Sequence, residues 1–202
     1  MKIIPLAKNT VTYSCNSYLL LGDWNRIGDI NVVIDPGTDD SIIPEIERHS
    51  TGLGKVPVDR VYLTHNHFDH AGSIELLKKR YGARVFAFTD MAGVDELFTD
   101  GGFYPAGDDL LEALHTPGHS SDSVCLYGRS GQLLFSGDMQ LLVRSAGGAY
   151  TRQYFDSLLR LSALRIETVY SGHDVPLTSG VREMLRESIA HVRNSEIVGE
   201  RP

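Results

Sequence analysis

Short apolar runs rich in β-branched residues, separated by turn residues, dominate the first half of the chain: TVTYSCNSYLLLG at 10–22, DINVVIDPG at 29–37, VDRVYLTHN at 58–66 and ARVFAF at 83–88. Runs of this length bounded by Gly, Pro, Asn and Asp predict strands. Two helical patterns interrupt them. DDSIIPEIERH at 39–49 offers Asp39 or Asp40 as cap. SIELLKKRYG at 73–82 has Ser73 as cap, Ile74, Leu77 and Tyr81 at helical spacing, and Gly82 as stop. The second half repeats the alternation, with strands at 109–116, 122–128 and 132–138, a helix near 153–164 and a strand at 167–174. A last amphipathic helix sets Val181, Met184, Leu185, Ile189 and Val192 on one side. Two similar strand-rich units with helices between them predict an α/β (α+β) chain whose sheets are covered by helices.

Composition narrows this picture. A chain of 202 residues with 42% hydrophobic content fits one domain, 1–202, with a substantial core. The net charge of -7 and the dispersal of Lys and Arg leave no basic field for a polyanion, so nucleic acid is not an expected partner. The first residues lack the apolar run of a secretory signal, and no stretch approaches the ~18 continuous apolar residues of a membrane span. A cytoplasmic location and no membrane partner are therefore expected, with a homodimer left open. Cys15 and Cys125 belong to no metal-binding spacing and are expected to be reduced, buried thiols.

The chemistry is concentrated in YLTHNHFDHAGS at 62–73, which carries His65, His67, Asp69 and His70 in a chain with eight histidines. Side chains two apart on a strand point the same way, so His65 and His67 can reach one ion together. Asp69 and His70, in the turn before the Ser73 helix, then face a neighbouring point. Three further stretches place a ligand-type residue at a strand end beside glycine: HTPGHS with His119, LLFSGDMQ with Asp138 and VYSGHDVP with His173. Seven candidates exceed the four of a closed structural zinc and fit two ions with open positions.

HxHxDH followed by TPGH, SGD and GH, in this order and rough spacing, resembles the metallo-β-lactamase-fold superfamily. The resemblance implies a four-layer αβ/βα sandwich with metals at one edge between two sheets. It also implies that His65, His67 and His119 hold the first metal, that Asp69, His70 and His173 hold the second, and that Asp138 bridges them. Asp35, Thr64 and His115 are implied as supporting residues, although a core histidine bonded to backbone explains His115 as well. His49 and His191 are expected at the surface.

The cofactors expected are two divalent ions, zinc first, with iron or manganese as alternatives. The reaction expected is hydrolysis of a small-molecule thioester, lactone or related ester, with water activated between the ions as nucleophile and Asp69 closest to a general base. Within the superfamily the chain resembles a small hydrolase similar to glyoxalase II (hydroxyacylglutathione hydrolase). Zinc β-lactamases of the best-known type carry Cys in place of Asp138, and flavodiiron proteins carry Glu in place of His67. The chain is expected to lack glyoxalase II's C-terminal helical substrate domain, which leaves glutathione recognition open. The alternative is a persulfide dioxygenase-like oxidoreductase with one iron on His65, His119 and Asp138. Arg144, Tyr150 and Arg152, in the loop after Asp138, are candidate substrate contacts, since guanidinium groups suit carboxylates.

Overall fold

The computed structural model describes residues 1–9 and 11–199. The first sheet contains β1 (Lys2–Leu6), β2 (Ser17–Leu21), β3 (Val32–Ile34), β4 (Arg60–Tyr62), β5 (Arg84–Ala87) and β6 (Glu96–Leu97), in that spatial order. Its first three strands are antiparallel neighbours, and β3 to β6 run parallel. Helices α1 (Ile42–Glu47), α2 (Phe68–Ala71) and α3 (Ile74–Tyr81) belong to the same half. The second half supplies β7 (Phe103–Ala106), β8 (Asp109–His115), β9 (Val124–Gly128), β10 (Leu133–Gly137), β11 (Ala149–Thr151), α4 (Arg152–Ser162), β12 (Thr168–Ser171), α5 (Val181–Arg193) and β13 (Glu196–Val198). Its main sheet is ordered β12-β10-β9-β8-β7, with β10 and β12 parallel, while β11 and β13 form a separate two-stranded sheet.

Strand parity sorts the apolar side chains into three cores. Tyr18, Leu20, Val32, Ile34, Tyr62, Leu111, Leu126 and Phe135 meet between the two sheets. Leu19, Leu21, Val33, Val61, Leu63 and Val85 point the other way, onto Ile42 and Ile46 of α1 and Ile74 and Leu77 of α3. Leu114, Cys125, Tyr127, Leu134 and Val169 face Leu158 and Leu161 of α4 and Leu185 and Val192 of α5. The result is helix, sheet, sheet, helix. Strands buried on both faces read as continuous apolar runs because no face meets water. Leu158 and Leu161 have no exposed surface, and burial of each contributes ~1.5–3 kcal/mol.

The expected elements recur with shorter bounds, and the trimmed residues have other work. Residues 11–16, read as strand, send their backbone elsewhere: Cys15 N–H donates to Asp69 O (3.2 Å) and Asn16 N–H to Gly172 O (2.6 Å). The run at 29–37 ends at Ile34 because Asp35 adopts φ +50°. Ser73 does occupy the N-cap of α3, but its hydroxyl donates to Asp39 O (2.9 Å) and makes no cap bond. Ser41, not Asp39 or Asp40, caps α1 by position. Gly82 ends α3 at φ +71°, as expected of a left-handed C-terminal glycine. Strands β1 and β7 escaped the sequence pattern, and both contain proline and lie at sheet edges, where a missing N–H is tolerated.

Candidate metal centre

All seven candidate ligands lie past the ends of strands or in the loops between them, at one edge of the sandwich. His65, His67, Asp69 and His70 follow β4, Asp138 follows β10, His173 follows β12, and His119 lies in the loop between β8 and β9. The two halves are tied together there: Val124 N–H donates to Thr64 O (2.8 Å), and the Asn16 side-chain amide donates to Ser171 O (3.1 Å) and Asp174 O (2.8 Å). Glycine beside the ligands is explained by packing. A Cβ on Gly172 would fall on Asp138 Oδ1 and within 2.7 Å of His70 Cε1. Gly137, at φ +50°, faces Thr64 with no room for a side chain.

The ligands form two groups, each with its donor atoms within 4.8 Å of one another: His65, His67 and His119 in one, and Asp69, His70, Asp138 and His173 in the other. In the first, His67 Nδ1 lies 3.0 Å from both His65 Nε2 and His119 Nε2. A ring proton can serve one such pair and not the other, whereas a cation accepts all three lone pairs. In the second, His173 Nε2 is 3.2 Å from Asp69 Oδ2 and 3.2 Å from Asp138 Oδ2, and His70 Nε2 is 3.2 Å from Asp138 Oδ1. Despite these distances, His70 Nε2, His173 Nε2 and Asp138 Oδ1 are buried without an aligned hydrogen-bond partner among the described residues. Uncompensated buried donors and acceptors of this kind are costly, and a coordinated cation is their natural partner. Asp138 serves both groups, with Oδ2 also 3.6 Å from His119 Nε2 and 4.0 Å from His65 Nε2.

Asp35 fixes one histidine in each group. Its carboxylate accepts from Thr64 N–H (2.8 Å), from Thr64 Oγ1 (2.7 Å) and from His70 Nδ1 (2.9 Å). Thr64 Oγ1, having given its only proton to Asp35, accepts from His65 Nδ1 at 3.2 Å. Both imidazoles therefore turn Nε2 toward the cluster, as supporting carboxylates do at metal sites. The left-handed backbone of Asp35, uncommon outside glycine, places this carboxylate beneath both groups.

The electrostatics fit a cation. Burial, aided by the charge on His70, pushes His65 down to about 4, and burial also lowers His119, so both offer lone pairs at neutral pH. Burial pushes the Asp138 carboxyl up, but contact with His70, together with His173 and His65, holds it down to about 2. Burial also opposes charge on His70, yet Asp35 and Asp138 hold that imidazole protonated far above the ordinary histidine range. The second group thus demands positive charge.

The remaining expectations divide. His115 stays outside the cluster: its Nε2 bonds Ser121 O (2.9 Å) and its ring stacks on Phe88 at 3.9 Å, so it is a packed histidine. His191 is not a plain surface residue. It is partly buried, and its Nδ1 donates to Val143 O (2.6 Å), which ties the loop after Asp138 to α5. Cys15 and Cys125 are free and buried. Arg144 borders a cavity of about 240 Å³ with Leu141, Val169 and Asp174, and Arg152 faces Asp156 at 4.0 Å. Tyr150 stacks on Tyr154, whose ring lies against Gly118, next to His119. Sequence reasoning missed Asp122. Its buried carboxylate accepts from Asn66 N–H (2.9 Å) and Ser120 Oγ (2.7 Å), joining the loops that carry His67 and His119. The only signal for it was a carboxylate three residues past His119. Among the described residues, no helix is long and apolar enough to cross a membrane.

Comparison with known proteins agrees with this geometry. A probable hydroxyacylglutathione hydrolase, glo2, of Schizosaccharomyces pombe is 32% identical over 167 residues, which are 78% of this chain and 63% of that protein. The chain therefore spans less than two thirds of that relative's length. The crystal structure of ETHE1 from Myxococcus xanthus superposes with a TM-score of 0.73 at 26% identity, covering 96% of this chain and 85% of that one. TTHA1623, solved in a di-iron-bound form, gives a TM-score of 0.68 at 25% identity, covering 89% of this chain and 96% of that one. The family model described as the metallo-beta-lactamase superfamily matches residues 11–90 and 87–173, and with the four-layer sandwich and its histidine and aspartate cluster this establishes that the chain belongs to that superfamily.

Proposed function

We propose that the chain is a dinuclear metal-dependent hydrolase of a small thioester, lactone or related ester, with zinc as the ion in both groups and iron or manganese able to replace it. The observation that carries this reading is Asp138, whose Oδ2 stands 3.2 Å from His173 of one group and 3.6 Å from His119 of the other. A single structural ion would not use two donor groups sharing a carboxylate. Bound divalent ions would supply water activated near neutral pH and polarisation of the scissile carbonyl oxygen. The chain's own residues do the rest. His65, His67 and His119 would hold one ion and Asp69, His70 and His173 the other, with Asp138 shared. Asp69, buried and next to His173, is the carboxylate suited to orient the attacking water and take its proton. Arg144, Tyr150 and Arg152 are proposed substrate contacts.

The relatedness to a hydroxyacylglutathione hydrolase supports the thioester class. The test is metal content of protein purified without added metal, followed by a panel of thioesters and lactones. Two zinc ions per chain with turnover are expected. Fewer than one ion, or two ions with no turnover, refutes the proposal. A mononuclear iron oxidoreductase on His65, His119 and Asp138 would leave the convergence of Asp69, His70 and His173 without a use, and one iron per chain with oxygen uptake on glutathione persulfide would establish it instead.

A further inference from the structure

Two large aromatic side chains stand at the mouth of this centre with no role in the fold. Tyr13 is 63% exposed and Phe68 is 65% exposed, and neither belongs to any of the three cores. Their ring centroids are 6.1 Å apart, and Tyr13 also lies over His173, with centroids 5.5 Å apart and planes at 25°. Both are held by the backbone on which they sit. Phe68 opens α2 between His67 and Asp69, so two ligands fix its backbone while its own side chain faces outward. Tyr13 precedes β2, on a segment fastened by Thr38 Oγ1 donating to Tyr13 O (2.7 Å) and Cys15 N–H donating to Asp69 O (3.2 Å). Val175, 86% exposed, follows His173 by two residues.

Exposed apolar surface held in place beside a polar centre signals a ligand with an apolar part, since aromatic rings provide large contact area at small entropic cost. We propose that Tyr13 and Phe68 form an apolar rim on the His173 side of the centre that selects esters or thioesters with a bulky apolar acyl group, aliphatic or aromatic, over acetyl-sized ones. This names the substrate class within the hydrolase reading and rests on it.

Binding tests it separately from turnover. N-acetylcysteamine thioethers bearing methyl, butyl or benzyl groups cannot be hydrolysed and are titrated calorimetrically into the protein as purified, with metal content measured alongside. The benzyl probe is expected to bind about tenfold more tightly than the methyl probe, the discrimination that a few apolar groups support. Phe68→Ser and Tyr13→Ser should each reduce that ratio at least about threefold, with circular dichroism and metal content retained. The kcat/KM ratio of benzoyl to acetyl thioesters should fall in parallel. Equal affinities for the three probes overturn the proposal. It is also overturned if Tyr13→Ser weakens all probes equally while Phe68→Ser changes nothing, because Tyr13 would then only position His173. Graded probe binding without hydrolysis of any ester would remove the hydrolase reading and leave the rim standing.

Discussion

The two ligand groups differ in charge and burial. The first, His65, His67 and His119, is a set of nitrogens, of which only His65 is buried. The second adds the carboxylates of Asp69 and Asp138 to His70 and His173, and Asp69 and His70 are buried. Neutral imidazoles offer lone pairs and ask for little when unliganded. Buried carboxylates attract a cation strongly because the surrounding dielectric screens them poorly. The second group should therefore hold its ion more tightly. The asymmetry also shows where the groups are coupled: through Asp138 above and through Asp35 below.

Removing Asp138 is the most disruptive way to break the comparison. Asp138→Ala takes away the carboxylate that faces ligands of both groups and the anion that offsets two nearby positive charges. Loss of at least one ion and a fall in activity exceeding ~100-fold are expected, beyond what supporting residues alone cost. The circular dichroism spectrum should be retained, because apolar packing and not metal holds the sheets. Metal stoichiometry and turnover check this, and two tight ions with near-normal turnover would refute the shared role. Gly172→Ala comes next. Its new Cβ would collide with Asp138 Oδ1 and crowd His70, both in the second group, while the first group's histidines are not among its nearest contacts. A destabilisation of ~1–3 kcal/mol and selective loss of the second ion are expected, measured by thermal unfolding and by metal content.

How far these residues were readable follows from their separation in sequence. His65, His67, Asp69 and His70 were legible because one strand end and one turn carry them all. Asp138 and His173 were legible only as single residues beside glycine at strand ends, and it took the whole motif set to join them. Sheets covered by helices were legible because strand and helix periods alternate cleanly, while the four-layer sandwich followed from the resemblance of the motif set. Strands β1 and β7 were not, since Pro5 and Pro105 break the pattern and only an edge position, a tertiary fact, makes proline acceptable. Asp122 and Tyr13 were not legible either. Asp122 acts on Asn66 from 56 positions away, and Tyr13 meets His173 only after both sheets have formed.

Asp35→Asn probes the coupling below the groups. Asparagine tolerates the left-handed backbone at φ +50°, so the change isolates the carboxylate from the strain. With an amide, one carboxylate oxygen becomes a donor: at Oδ2 this removes the acceptor of both His70 Nδ1 and Thr64 Oγ1, the link to His65, and at Oδ1 it removes the acceptor of Thr64 N–H. Metal affinity should fall ~10–100-fold, more at the second group, where Asp35 acts on His70 directly. Competition with a chelator of known affinity resolves the two ions and gives the ratio. Equal affinity in parent and variant would remove Asp35 from the metal centre.

The mildest change should separate the groups in the opposite direction. Asp122 contacts neither group, but its two oxygens hold Asn66 N–H and Ser120 Oγ, each next to a ligand of the first group, His67 and His119. Asp122→Ala leaves a backbone N–H without its acceptor and frees the loop between β8 and β9, at an expected cost of ~1–3 kcal/mol in stability. His70 and Asp69 have no contact with Asp122 among the described hydrogen bonds, so the second group should keep its ion. The expected signature is a lower thermal midpoint and a weakened first ion beside an unchanged second one. Asp122→Asn, which can still accept from Asn66 N–H, should restore most of the loss. If Asp122→Ala instead weakened the second ion first, the division into an outer nitrogen group and an inner carboxylate group would not describe how this centre binds metal.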